Sequence, residues 1–317
     1  MSNAIAVRLG LVLSLVAMLP SCGPKGGSTA PDGGGGAGRG KDAKDGVALR
    51  YATQPIKLKQ IGQFDSNVRA RGEYNEIAAK YTVGLELAPA GDKVKVVWAF
   101  ADVGTLDLKG SLAPKPGAED PKAALLRLGK GAYLVDLRGE IDEDGSKVLP
   151  ENDAQRKEID ALKKQAEEAE KAGKPFEAPM LAIMQTTRAM VSLPVLPEEG
   201  LPVGKAVVSK AEEELQLFEG GPKMPTETET TYTLVKIDTS GSKRIAEVQF
   251  ESVTSGAAET QMGVLSLDST TEGTMLFDID GHVPVSIDLT SNQAFTSGSE
   301  QMFESTTMIK STFESAS

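Results

Sequence analysis

The sequence predicts a mainly β (α+β) protein in which curved antiparallel sheets are built from two repeated β-meander halves, with a helical insert between them. Three observations lead to this fold class. Apolar and polar residues alternate over most of the chain after Val47, two distant stretches share one series of landmarks, and a segment rich in Ala, Glu and Lys separates them. The chain has 317 residues, of which 40% are hydrophobic, so it can bury a sizeable core.

Strand periodicity is clearest in two segments. From Val94 to Phe100 every second residue is apolar and large, which is typical of a strand with one fully buried face. Residues 273–290 alternate in the same way on both sides of Asp280 and Gly281, a pair that favours a tight turn. This segment is therefore predicted to be a hairpin. Pro284 predicts an edge position for its second strand, because proline cannot donate a ladder hydrogen bond.

The two halves share landmarks in the same order. Tyr81 and Tyr232 each begin a Tyr-Thr pair, and a turn follows each pair at Gly91 and Gly241. Further on, residues 137–145 parallel residues 275–281, since each stretch leads into an acidic turn. Three matches in one order predict a duplicated β-meander, and chance similarity between short amphipathic strands is the alternative.

The end of the chain is rich in serine and threonine from Ser252 onward. Threonine suits the solvated face of a strand, so we predict strands with hydroxyl groups on their wet faces. A mucin-like stalk is disfavoured because apolar residues that could pack are interspersed, namely Met302, Phe303, Met308, Ile309 and Phe313.

A helical insert is predicted between the halves. Residues 153–173 are mostly strong helix formers, and Gly173 is a natural stop. Their thin apolar stripe indicates a solvated helix that covers one sheet edge, with partner docking as the alternative. The more apolar Pro179–Val191 is expected to form a second helix whose methionines fill the core or line a binding lid. The predicted organisation is a signal peptide (1–21), a tether (22–46), a first β-rich half (47–150), the insert (151–192) and a second β-rich half (193–317).

The amino terminus resembles a bacterial lipoprotein signal. The apolar run Leu9–Leu19 follows Arg8 and is too short to cross a bilayer as a helix. A proline, a serine and then Cys22 follow this run. This order resembles the lipobox, in which the cysteine is lipidated. Cys22 is therefore expected to carry the lipid anchor and the glycine-rich residues 23–46 to form a flexible tether. The resemblance implies a cell-envelope location, and Gly23 after the cysteine implies the outer membrane.

Residues 193–208 carry a second resemblance. An apolar helix, a Leu-Pro pair and Pro202-Val203 lead to Gly204, where a new strand begins, and the Tyr-Thr strand and the acidic-turn hairpin follow. This order resembles an uncharacterised bacterial envelope lipoprotein family with a duplicated β-rich domain, over about Tyr81 to Leu289. The resemblance implies no assigned activity and supplies no catalytic residue.

Residue counts exclude several functions. Acidic residues outnumber basic ones 45 to 34, a net charge of −11, whereas nucleic-acid binders need clustered Lys and Arg. One cysteine and one histidine exclude an internal disulfide and any site built from several Cys or His ligands. His282 is expected to be exposed, and the chain has no Gly-x-Ser-x-Gly elbow. We therefore predict no catalytic residue, no cofactor and no enzyme activity.

One acidic loop is a candidate metal site. Glu140, Asp142, Asp144 and Glu151 are spaced nearly as the oxygen ligands of an EF-hand, with Gly145 at the turn. The first ligand is Glu rather than Asp, and the preceding segment looks like a strand. The loop is therefore interpreted as a solvated hairpin turn, with calcium as the alternative and no metal predicted.

Two functions fit these patterns. The first is a non-catalytic structural or protein-interaction lipoprotein of the envelope, which contacts a partner protein through a sheet edge or the insert helix. The alternative is a carrier or binding module for a lipid or another apolar ligand, held in a cavity of the curved sheet. The alternative requires a continuous apolar cavity, and both functions place the chain at a membrane through its lipid anchor.

Overall fold

The computed structural model describes residues 46–70, 72–114, 116–117, 119–140, 189–216, 223–260 and 263–316, together with positions 157, 161, 164 and 187. The described residues confirm a mainly β fold. The predicted signal peptide, the tether with Cys22 and most of the helical insert lie outside the described residues. Within the described ranges, no helix has the length and apolarity that crossing a bilayer demands.

Ten strands form one antiparallel sheet over the described residues. In chain order they are β1 (Ile56–Ala70), β2 (Glu73–Ala90), β3 (Lys93–Lys109), β4 (Lys130–Val135), β5 (Ala206–Gln216), β6 (Lys223–Asp238), β7 (Ile245–Thr260), β8 (Gly263–Asp278), β9 (Val283–Ser297) and β10 (Glu300–Ser315). A 3-10 turn (Gly110–Leu112) and a short helix, α1 (Pro121–Leu128), connect β3 to β4.

The strand order is β4-β3-β2-β1-β10-β9-β8-β7-β6-β5. Strands β1–β4 and β5–β10 each pair with their neighbours in sequence, and the two runs join where β1 pairs with β10. The two predicted halves therefore share one continuous sheet. They contribute four and six strands, and this topology does not by itself establish that one half repeats the other.

Alternate residues of each strand face a common apolar interior. In β1, Leu58, Phe64 and Val68 are buried, whereas Lys59 and Gln63 are exposed, as the period of two requires. The larger apolar cluster combines residues from β1–β4 and β6–β10. A smaller cluster lies toward the opposite strand ends and consists of Val68, Ala70, Met224, Leu265, Leu267, Phe295, Met302 and Phe303.

The sheet is strongly curved. Tyr133 of β4 and Tyr232 of β6 are eight strand spacings apart, which would be about 38 Å in a flat sheet. Their hydroxyl groups nevertheless contact the carbonyl oxygens of Val191 and Val195, which extended chain could separate by only about 14 Å. The sheet therefore wraps around this segment, and its inner face is concave.

The predicted hairpin is confirmed, but its predicted edge position is wrong. Strands β8 and β9 pair antiparallel around the turn, in which the Asp278 carboxylate accepts the backbone N–H groups of Asp280 and Gly281. Strand β9 lies between β8 and β10 rather than at an edge. Pro284 is tolerated because the register shifts beside its partner Phe277, where the regular ladder is interrupted.

Three other sequence predictions have different outcomes. The strand predicted at Val94–Phe100 is confirmed within β3. The strand implied at residues 137–145 is wrong over its described part, because β4 ends at Val135 and Asp136 N–H donates to the Glu140 carbonyl across a turn (2.9 Å). The sequence predicts that the serine and threonine residues from Ser252 onward lie on solvated strand faces. This is wrong for seven of them, which are buried: Ser252, Ser269, Thr271, Ser291, Ser305, Thr307 and Ser311.

Candidate functional site

A segment of the chain itself occupies the concave face. We call residues 189–196 the strap. Four buried tyrosines donate hydrogen bonds from their hydroxyl groups to backbone carbonyl oxygens of the strap: Tyr81 to Met190 (2.9 Å), Tyr133 to Val191 (2.9 Å), Tyr51 to Pro194 (2.6 Å) and Tyr232 to Val195 (3.4 Å).

The physical reason for this arrangement is the apolar interior. A backbone carbonyl that is buried without a donor is costly, and tyrosine supplies a large apolar ring together with one hydrogen-bond donor. Burial raises the pKa of the Tyr51 and Tyr81 hydroxyls well above their ordinary value, so both remain protonated and donate. The Gln60 side-chain amide adds a further donor to the Met190 carbonyl (2.7 Å).

The strap fills most of the space beneath it. Its side chains Met190, Val191, Leu193 and Leu196 all belong to the larger apolar cluster. The cavity that remains beside the strap has a volume of about 50 Å³. Pockets that hold small-molecule ligands usually measure about 300–1,000 Å³. Over the described residues, the concave face at the strap is therefore filled by the chain's own residues.

A charged cluster joins the turn after β4 and the segment before β1 to the chain that ends the strap. Leu196 N–H donates to the Arg138 carbonyl (2.7 Å), which joins the end of the strap to the turn after β4. The Arg50 guanidinium donates to the carbonyl oxygens of Pro197 (3.0 Å) and Glu198 (2.8 Å). The chain therefore leaves the sheet after β4 and returns to it at neighbouring points.

The Glu140 carboxylate belongs to the same cluster. It accepts a hydrogen bond from the Arg138 guanidinium, which also donates to Asp136 (3.0 Å). Burial raises the pKa of Glu140 to about 7, an effect that Arg138 opposes and that the nearby carboxylates of Asp136, Glu213 and Glu198 reinforce. Burial alone would lower the pKa of Arg138, but its hydrogen bond to Asp136 and the surrounding carboxylates raise it instead.

The predicted calcium loop is described at one position only. The Glu140 carboxylate is held by Arg138. Asp142, Asp144 and Glu151 lie outside the described residues, so the loop remains a hypothesis. Among the His, Cys, Asp and Glu residues that the structure describes, no three are grouped so that they could hold a metal ion.

His282 is exposed, as predicted, and lies in the turn between β8 and β9 with a φ of 57°. Its Nδ1 lies 3.1 Å from the Arg50 carbonyl oxygen, so the tautomer that carries the proton on Nδ1 can donate there. Its own carbonyl accepts the Ala52 N–H (3.1 Å). These contacts attach the turn to the segment before β1, which is a structural role.

The two edge strands of the sheet, β4 and β5, differ in exposure to solvent. Strand β4 is short, and four of its six residues are buried. Strand β5 spans Ala206–Gln216 and is mostly exposed, with Val208 at 50% and Glu212–Glu214 all exposed. Strand β5 hydrogen-bonds on one side to β6, and it is the last strand of the sheet. Within the part of the chain that the structure describes, the other side of β5 has no strand partner, and its backbone N–H and C=O groups could pair with another strand.

The fold and the site together define a curved single-sheet protein whose concave face is covered by its own strap. Comparison with known proteins found no match: no model of a known protein family fits the chain, and no curated protein is similar to it.

Proposed function

We propose that this chain is a lipid-anchored, non-catalytic protein of the bacterial cell envelope that binds a partner protein through the open edge of β5. The observation that carries the proposal is the contrast between the two candidate surfaces. The concave face is filled by the strap, whereas β5 presents an exposed edge. The anchor at Cys22 and the outer-membrane location rest on the amino-terminal sequence.

The edge of β5 has features that suit addition of an extended strand. Backbone hydrogen bonds give such contacts their affinity, and the outward side chains give them specificity. Lys210 pairs with Glu229 (2.7 Å) and Glu214 with Lys223 (2.7 Å), so both ion pairs link β5 to β6. Charged side chains at a sheet edge oppose indiscriminate pairing, and they select a partner of complementary charge.

A carrier of apolar ligands is the second candidate. The observation in its favour is the broad apolar inner face, to which strands from both ends of the sheet contribute. A lipid would have to displace the strap from that face and break the four tyrosine hydrogen bonds. The edge-binding function needs no such rearrangement and is therefore preferred.

A photo-crosslinking experiment tests the edge. We expect p-benzoylphenylalanine in place of Val208, in the full chain and in cells that make it naturally, to give one adduct of constant mass, because the edge lies against its partner. Val253 is the matched control: it is also a valine and 46% exposed, against 50% for Val208, but it lies on β7 inside the sheet. Crosslinked products are separated by mass and identified.

The Cys22→Ser variant and the comparison of positions 208 and 253 make the outcome decisive. Cys22→Ser should move the chain from the membrane to the soluble fraction and remove the adduct, because the anchor brings the edge to its partner. Equal crosslinking from positions 208 and 253, or none from position 208, would count against the edge. An adduct that survives in the soluble Cys22→Ser chain would support the edge and show that the contact does not require the anchor.

A further inference from the structure

A row of hydroxyl groups crosses the concave face between the two apolar clusters. Its six members are neighbours in register on six successive strands, and all are buried: Ser66, Thr307, Ser291, Thr271, Ser252 and Thr230. They pair with one another, Ser66 with Thr307 (2.9 Å), Thr271 with Ser291 (2.8 Å) and Thr230 with Ser252 (3.0 Å). This row satisfies its hydrogen bonds internally.

A second row lies one step further along the same strands. Its polar members are Ser305, Gln293, Ser269, Thr254 and Thr228, again neighbours in register. Thr228 and Thr254 share a hydrogen bond of 2.9 Å. The two rows contain no charged side chain, so an uncharged polar layer separates the two apolar clusters.

Gln293 lies between Ser305 and Ser269 in the second row. The residue is 4% exposed, and among the residues that the structure describes neither its amide nitrogen nor its amide oxygen has a hydrogen-bond partner. Burying a polar group without a partner is costly, and buried polar groups in proteins are almost always satisfied by protein or by a bound molecule. An apolar residue would suit this position better unless something binds the amide.

We propose that Gln293, with Ser269 and Ser305 beside it, forms an internal binding site for uncharged molecules that both donate and accept hydrogen bonds. The amide offers one donor group and one acceptor, and the two serine hydroxyls offer both roles. An ion is disfavoured because no charged residue lies in either row. Water is the smallest molecule of this class, and a short polyol such as glycerol has the same chemistry.

Gln293→Met in the full chain tests the site, because methionine keeps the side-chain length and removes the amide. If a bound molecule satisfies the amide, the substitution removes hydrogen bonds, and we expect the melting temperature to fall by about 2–6 °C. If the amide has no partner, the substitution relieves an unpaired buried group and the melting temperature rises, which would overturn the proposal.

The matched control is Gln249→Met, at an exposed position on β7. It reports the general effect of replacing glutamine with methionine in a strand, and it should leave the melting temperature nearly unchanged. Water-oxygen magnetic relaxation dispersion in buffer without polyol gives an independent readout: the wild-type chain should hold at least one more long-lived internal water than Gln293→Met. Equal numbers in the two chains would contradict the site.

Glycerol distinguishes the two possible occupants of the site, water and a polyol. If glycerol raises the melting temperature of the wild type more than that of Gln293→Met, the site accepts polyols. If it raises both equally while the relaxation difference persists, the occupant is water. Either result supports the site. The outcome is also independent of the β5 edge, because both rows lie on the concave face.

Discussion

Replacing Tyr51, Tyr81 and Tyr133 together with phenylalanine should lower the free energy of unfolding by about 3–5 kcal/mol. Each substitution keeps the buried ring and removes one hydroxyl donor to a strap carbonyl. The loss is large because every such carbonyl is then left in an apolar interior without that donor. Chemical denaturation measures the change.

The control for this triple variant is Tyr74→Phe. Tyr74 is the chain's remaining tyrosine apart from Tyr232; it is 43% exposed, and its hydroxyl contacts the half-buried side chains of Asn67 and Glu76. Its loss should cost less than about 0.5 kcal/mol. A local readout is the Leu193 amide, which donates to the Tyr133 hydroxyl (3.3 Å) and should exchange faster with solvent in the triple variant. Unchanged stability and exchange would show that the hydroxyls do not hold the strap.

Gly62→Ala should destabilise the protein by about 1–3 kcal/mol, through overpacking. Gly62 lies opposite Tyr81 in the pairing of β1 with β2, and a methyl group at Gly62 would overlap the Tyr81 ring. The ring would have to move, and its hydrogen bond to Met190 would then be lost. Thermal and denaturant unfolding measure the effect.

Gly84→Ala provides the matched comparison on the neighbouring strand. A methyl group there has ordinary space, since its nearest neighbour is the Ala99 carbonyl oxygen at 3.9 Å. Alanine in a strand is favoured over glycine by about 0.5–1 kcal/mol, so stability should be unchanged or higher. In a double-mutant cycle, Tyr81→Phe should cost less in the Gly62→Ala background than alone. Additive effects of the two substitutions would show that Gly62 does not act on the strap through Tyr81.

The parts of the fold that depend on local pattern could be predicted from the sequence. The alternation in β3 and the turn at Asp280 and Gly281 are properties of consecutive residues, and both are confirmed. The edge position inferred from Pro284 is wrong because a local irregularity in the register accommodates the proline inside the sheet. Strand order depends on distant pairing, which the sequence pattern does not encode.

The candidate site could not be predicted for a related reason. Tyr81 and Tyr232 were recognisable as landmarks of two similar stretches, but their common target is the strap, which is far from Tyr81 in sequence. The hydroxyl rows could not be predicted from the alternation that predicts the strands. A period of two shows which residues share a face, and serine and threonine indicate the wet face unless distant strands cover them.

We expect the strap to take the place of any apolar ligand on the concave face. Native mass spectrometry of the Cys22→Ser chain, exported to a periplasm and purified without detergent, tests it most directly. We expect the bare mass of the polypeptide, because the cavity that the described residues leave beside the strap measures about 50 Å³. A discrete additional mass that organic solvent releases would contradict it and would favour the carrier function.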